Sequence, residues 1–221
     1  MDTKRTLVIG ASGRIGEKLI TLLHGNGCAV VAMLRDVNKG PQFFSGNGVE
    51  TVQGDLETDI DSVFADCERV VFSAGSGADT SADKTLLVDL WGACKVVDAA
   101  KKNNISHFVM VSSRGADNPD RGPMAIKPYL IAKHFADNYL IASGLPYTIL
   151  RPGRLLDEAG TGFIGTTRPA SPETQVISRE DTASAIYHCL ANNNTIGQVY
   201  ELYKGATPIS EAFDAMLHKR H

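Results

Sequence analysis

The chain has 221 residues, a net charge of −3 and 43% hydrophobic residues. That length suits one α/β unit with additions rather than two full domains, and that hydrophobic share is enough for a sizeable core. The charge balance gives no general attraction to nucleic acid or anionic membrane, and no apolar run reaches the roughly 18 residues of a spanning helix.

Residues 1–5 lead straight into an apolar stretch and leave no room for a leader, which predicts a cytoplasmic protein. Cys28, Cys67, Cys94 and Cys189 lie far apart with no C-x-x-C pair, as expected of reduced thiols. No repeat, low-complexity tract or linker breaks the sequence. The expected organisation is one unit over 1–221, with residues 154–221 contributing a small substrate region.

Residues 6–9 read as a buried strand that runs into Gly10-Ala11-Ser12-Gly13-Arg14-Ile15-Gly16. An amphipathic helix follows, with Ile15, Leu19, Ile20, Leu22 and Leu23 on its apolar face. Strand, glycine turn and helix in that order form a dinucleotide-binding pattern. The helix presents unpaired N–H groups and a positive dipole end, and glycine lets a pyrophosphate approach the backbone. The alternative is a tight turn that binds nothing.

A second strand is predicted over 28–34, ending at Arg35-Asp36. In a dinucleotide fold this end lies beside the adenosine ribose, where an acid accepts from the 2′-hydroxyl and an arginine pairs with a 2′-phosphate. Arg35, Arg14 and Lys39 argue for NADP over NAD; Asp36 argues the other way, and a solvated loop is the third reading. Residues 40–48 read as a loop. A short strand over 49–53 ends at Gly54-Asp55-Leu56. Asp55 either accepts from the adenine amino group or caps a short helix over 58–65.

The fourth strand, 69–72, opens into Ser73-Ala74-Gly75-Ser76-Gly77, small residues past which a ribose or nicotinamide fits. A continuous helix is predicted from Asp83 to Lys102, with Leu86, Leu87, Leu90, Val96, Val97 and Ala100 in the core. Trp91 is expected in core or interface packing. Asp89, within this helix, would need partners if buried.

The fifth strand, 106–111, ends at Ser112-Ser113, a place where open α/β sheets bind ligands. A loop over 114–126 leads to a helix in which Tyr129 and Lys133 share a face. Carbonyl reduction needs a proton beside the hydride. A tyrosine serves once its pKa of about 10 is lowered by a nearby ammonium. The alternative is that the pair only holds cofactor or structure.

A sixth strand spans 145–150, followed by Arg151-Pro152-Gly153. Residues 157–174 read as a covering loop. A strand over 175–177 leads through Ser178, the expected cap, into a helix ending near Leu190. A strand over 198–202 and a helix from Ile209 to Leu217 complete the pattern. The six histidines show no metal-ligand spacing.

The motifs G-A-S-G-R-I-G, L-R-D, G-D-L, V-S-S, Y-x-x-x-K, L-R-P-G and S-R-E-D-T-A occur here in one order. In this the chain resembles the atypical short-chain dehydrogenase/reductase superfamily. More narrowly it is similar to the small NAD(P)H-binding proteins of NmrA-like or NAD-dependent epimerase/dehydratase type.

The resemblance implies an α/β fold, a doubly wound parallel sheet with a small C-terminal substrate-capping region. It implies NADP contacts, with NAD as the alternative, at Gly10, Ser12, Gly13, Arg14, Ile15, Arg35, Asp55, Leu56, Ser73, Ala74, Gly75, Ser112, Lys133, Pro152 and Gly153. It implies Ser113, Tyr129 and Lys133 as the catalytic group. The expected activity is NADP-dependent hydride transfer involving a small carbonyl, quinone or flavin-like acceptor, in a monomer or homodimer. The alternative is a catalytically silent NADP sensor. A sugar-nucleotide epimerase or dehydratase is the least expected, since Arg114 stands where those enzymes often carry an active serine or threonine.

Overall fold

The computed structural model describes residues 4–77 and 80–213. His218, His221 and the end of the last expected helix lie outside them.

Seven parallel strands make up most of one nine-stranded sheet. They are β1 (Thr6–Ile9), β2 (Val30–Leu34), β3 (Glu50–Gln53), β4 (Arg69–Phe72), β5 (His107–Val111), β6 (Tyr147–Pro152) and β10 (Gln198–Lys204). β7 (Arg154–Leu156) and β9 (Val176–Ser178) pair separately. β8 (Phe163–Gly165) joins β10 antiparallel, and β11 (Thr207–Pro208) joins β8 in the same sense. The order is β11-β8-β10-β6-β5-β4-β1-β2-β3. The order in which strands are added reverses between β1 and β4, so a crevice opens there at the strand carboxyl ends.

β1, β4 and β5 are buried along their whole length, because helices cover both sheet faces. Alternation then sorts the side chains. Val8, Val71 and Val109 pack with Leu19, Ile20 and Leu23 of α1 (Arg14–Gly25) and Ile186 of α6 (Arg179–Ala191). Leu7, Ile9, Phe72, Phe108 and Met110 pack on the other face. Their partners are Val96, Val97 and Ala100 of α4 (Ala93–Lys102) and Leu140 of α5 (Lys127–Ala142). Ser178 caps α6 as expected, its Oγ accepting from the Asp181 N–H at 2.8 Å.

Four elements depart from the sequence reading. Residues expected as a loop over 40–48 contain α2 (Gln42–Asn47), which drives Phe44 into the core and stops at Gly48, where φ is +68°. The helix expected over 58–65 is a 3-10 turn, Asp61–Phe64. Residues 157–174 carry β8. The helix expected from Asp83 to Lys102 is three pieces: α3 (Ala82–Lys84), a π-helix (Thr85–Gly92) and α4.

The π winding explains a misplaced core. It turns Thr85, Asp89 and Gly92 inward and leaves Leu86, Leu87 and Trp91 exposed, Trp91 by 59%. Leu86 and Leu87 are therefore surface residues.

Candidate functional site

Two connected cavities lie along the carboxyl ends of the strands. One, of about 480 Å³, runs from the glycine turn to the end of β2. The other, of about 540 Å³, reaches α5. Ser73, Ala74, Gly75, Ser76 and Thr80 line both.

The glycine turn is shaped by contact. Gly10 has φ +89°, and a Cβ there would lie 2.6 Å from the Ala74 nitrogen. A Cβ on Gly16 would lie 2.2 Å from the Gly10 carbonyl oxygen. Around Gly13 only that same oxygen comes near, at 3.2 Å. Gly13 caps α1 with no side-chain hydrogen bond, so no side chain occupies the first N–H groups of that helix. An anion at this helix end meets an open backbone and a favourable dipole.

At the end of β2, Arg35 is exposed, lines the first cavity and has no ion-pair partner among the described residues. Asp36 is engaged locally: its Oδ1 accepts from the Asn38 N–H at 3.0 Å, and Lys39 pairs with it at 3.4 Å. Asp55, at the end of β3, also lines the cavity while accepting from the Glu57 N–H at 2.9 Å. Leu56, Ser12, Gly10 and Gly13 complete the expected set here. Sequence reading missed Met33, Glu57, Lys84 and Val88; Lys84 and Glu57 form an ion pair at 2.7 Å in the wall.

The second cavity holds Ile15, Ser112, Tyr129 and Lys133 together, with Asp89 added by the structure. Lys133 is buried. Its Nζ lies 3.4 Å from Asp89 Oδ1, donates to the Val111 carbonyl at 3.2 Å, and sits 5.8 Å from the centre of the Tyr129 ring. Burial works against the ammonium, but Tyr129, Asp89 and Asp137 outweigh it and hold the Lys133 pKa above the usual lysine range. Asp89 also accepts from the Ser76 N–H at 3.0 Å, so one carboxylate ties the β4 loop to α5. Asp137, one turn beyond Lys133, pairs with Arg151 at 2.9 Å; burial nonetheless raises its pKa.

The remaining expected residues lie elsewhere. Ser113 donates its hydroxyl to the Arg114 carbonyl and is not in the cavity wall, whereas Ser112 is buried in that wall with its hydroxyl beside the Asp137 carboxylate. Arg14 pairs with Asp157, which also accepts from Arg179 at 2.7 Å. Pro152 and Gly153 line neither cavity. A Cβ on Gly153 would lie 2.5 Å from the Gln175 carbonyl oxygen, so glycine there lets the chain pass close to Gln175 where β7 begins to pair with β9.

A family model described as NAD(P)H-binding matches residues 10–193. The chain belongs to the NAD(P)H-binding family. The family's Rossmann-type sheet and glycine turn are those described above. The "Uncharacterized sugar epimerase YhfK" of Bacillus subtilis is 41% identical over 94% of this chain and 98% of its own. A solved structure, a putative NAD-dependent epimerase/dehydratase from Bacillus halodurans, superposes with a TM-score of 0.91. It is 42% identical over 96% of this chain and 99% of its own. ChuY, an anaerobillin reductase from Escherichia coli O157:H7, gives a TM-score of 0.71 at 27% identity, over 91% and 97% of the two chains. The NAD(P)H-binding family thus includes reductases among its relatives, and the class is consistent with an atypical short-chain dehydrogenase/reductase.

Proposed function

We propose that this protein is an NADPH-dependent oxidoreductase that reduces a carbonyl, quinone or flavin-like acceptor, with Tyr129 as the proton donor. The observation that carries this reading is the meeting of Tyr129 and a cationic, buried Lys133 in a cavity continuous with the glycine turn. The open helix end at Gly13 and the Ser112 hydroxyl in the cavity wall fit a dinucleotide laid along the strand ends.

A bound nicotinamide dinucleotide supplies the hydride. At a carbonyl acceptor, carbon gains that hydride, the π pair moves to oxygen, and oxygen takes the Tyr129 hydroxyl proton. Lys133 stabilises the phenolate left behind, and water returns the proton. Ser112 is better sited than Ser113 to hold the acceptor oxygen, because its hydroxyl lies in the wall. Arg35 favours the 2′-phosphate of NADP, since Asp36 is already engaged. From the small substrate region expected over 154–221, Leu155 stands in the wall.

The test is NADPH oxidation against a panel of ketones, aldehydes, quinones and flavins. Tyr129→Phe is expected to lose about 10²–10⁴-fold in kcat with unchanged NADPH affinity. Full activity in Tyr129→Phe would instead indicate a flavin-type reductase that needs no tyrosine acid. Tight NADPH binding without turnover of any acceptor would favour the sensor. Arg35→Ala is expected to weaken NADPH at least 10-fold and NADH little; equal losses would overturn the 2′-phosphate assignment.

A further inference from the structure

We propose that the α5-side cavity selects an uncharged aromatic ketone or quinone and turns away anionic acceptors, nucleotide sugars included. This deepens the oxidoreductase reading and rests on it.

Among the described residues, Lys133 and Asp89 are the only charged groups in the wall, and they face each other at 3.4 Å. Lys133 also donates to the Val111 carbonyl, so this cation has little to offer a ligand's phosphate or carboxylate. Apart from the Ser112 and Tyr129 hydroxyls, the acceptor side is apolar: Ile15, Val111, Ala125, Ile126, Pro128 and Leu155. Met124, 77% exposed, and Ile126, 44% exposed, belong to the same turn, Met124–Ile126, and extend this apolar surface outward. A flexible thioether and branched aliphatic side chains suit a flat ring system.

Two features that elsewhere bind phosphate are blunted here. The first turn of α5 contains Pro128, which has no N–H to offer an anion. Lys127 beside it is paired with Asp120 at 2.8 Å. A diphosphate entering this chamber would lose water and gain no cation in return. An uncharged ring loses little and buries apolar surface. The contrast with the β2 side, where Arg35 stands free, gives the cleft one anion-binding end and one charge-balanced end.

The experiment uses the full chain saturated with NADP⁺, loading first being verified by calorimetry. Equilibrium dialysis then compares 9-fluorenone, 9-fluorenone-2-carboxylate and UDP-glucose, none of which needs to turn over. The expected result is binding of fluorenone at least 10-fold tighter than its carboxylate, with no saturable binding of UDP-glucose. Leu155→Lys and Ile126→Lys are each expected to shift the preference at least 10-fold toward the carboxylate while NADP⁺ affinity stays unchanged. Equal or tighter binding of the carboxylate, saturable UDP-glucose binding, or no binding of fluorenone would overturn the inference. Failure to load NADP⁺ in the first step would instead overturn the oxidoreductase reading.

Discussion

Gly13 and Gly16 sit one helical turn apart and answer to different constraints. At Gly16 a methyl group would collide with the Gly10 carbonyl, so Gly16→Ala is expected to destabilise the fold by about 1–3 kcal/mol in denaturant melts. Gly13 has more room, and Gly13→Ala is expected to cost less than about 1 kcal/mol of stability. Its added methyl would still occupy the approach to the first N–H groups of α1, so dinucleotide affinity should fall at least 10-fold in a fluorescence titration. Equal effects of the two substitutions on stability would contradict this division. The glycine spacing was legible because it follows from local chain geometry. The role of Asp89 was not: the sequence marks a carboxylate in an apolar segment, but its partners Ser76 and Lys133 come from two other elements. Asp89→Ala strips a buried ammonium of its carboxylate, and a loss of about 3–5 kcal/mol is expected by denaturant unfolding. Asp89→Asn, which can still accept from the Ser76 N–H, should lose less.

The elements tell a similar story about what periodicity can reveal. Strands buried on both faces announce themselves as unbroken apolar runs, and β1, β2, β4 and β5 begin or end within two residues of where the sequence puts them. The π-helix is invisible to a period of 3.6, so Leu86 and Leu87 read as core. Leu86→Ala is therefore expected to change stability by no more than about 0.5 kcal/mol, against about 2–5 kcal/mol for Leu19→Ala in α1, where the side chain is fully buried. α2 was hidden for another reason, since Gly46, the capping Gly48 and the preceding proline are turn-forming residues, and the packing of Phe44 and Phe43 against the core favours a helix there. Between β5 and β6, the His107 ring nitrogen Nε2 and the Thr148 hydroxyl lie 2.8 Å apart, and Thr148 donates to the Thr195 carbonyl. Burial, helped by Arg69, lowers the His107 pKa from 6.5 to about 4. The unfolded chain takes that proton more readily. The contribution is thus complete above pH 6.5 and is lost as pH falls toward 4, by about 3 kcal/mol. Unfolding free energies between pH 7 and 4 should show this slope, and His107→Gln should flatten it.

At the scale of the whole molecule, the segment after β7, expected to cover the cleft, lines neither cavity and is fastened at several points. Asp157 joins Arg14 and Arg179. Arg168 donates to Glu201 and to Asp117, each at 2.9 Å, and Arg114 donates to Gln175. None of these pairings was legible, because each links segments distant in sequence through exposed or half-exposed side chains with no periodic signature. Arg168→Ala is expected to speed thermolysin cleavage within 157–175 severalfold while leaving NADPH affinity unchanged; unaltered cleavage would show that Arg168 does not hold the segment. The sheet margins carry a separate consequence. One margin is β3, four residues long and largely exposed; the other is β11, a two-residue strand containing Pro208. A short outer strand and a residue without an amide hydrogen are poor templates for another chain's backbone. Growth into fibrils by edge-to-edge addition is thereby discouraged at both ends, and concentrated solutions of the folded protein should show no thioflavin-positive assembly.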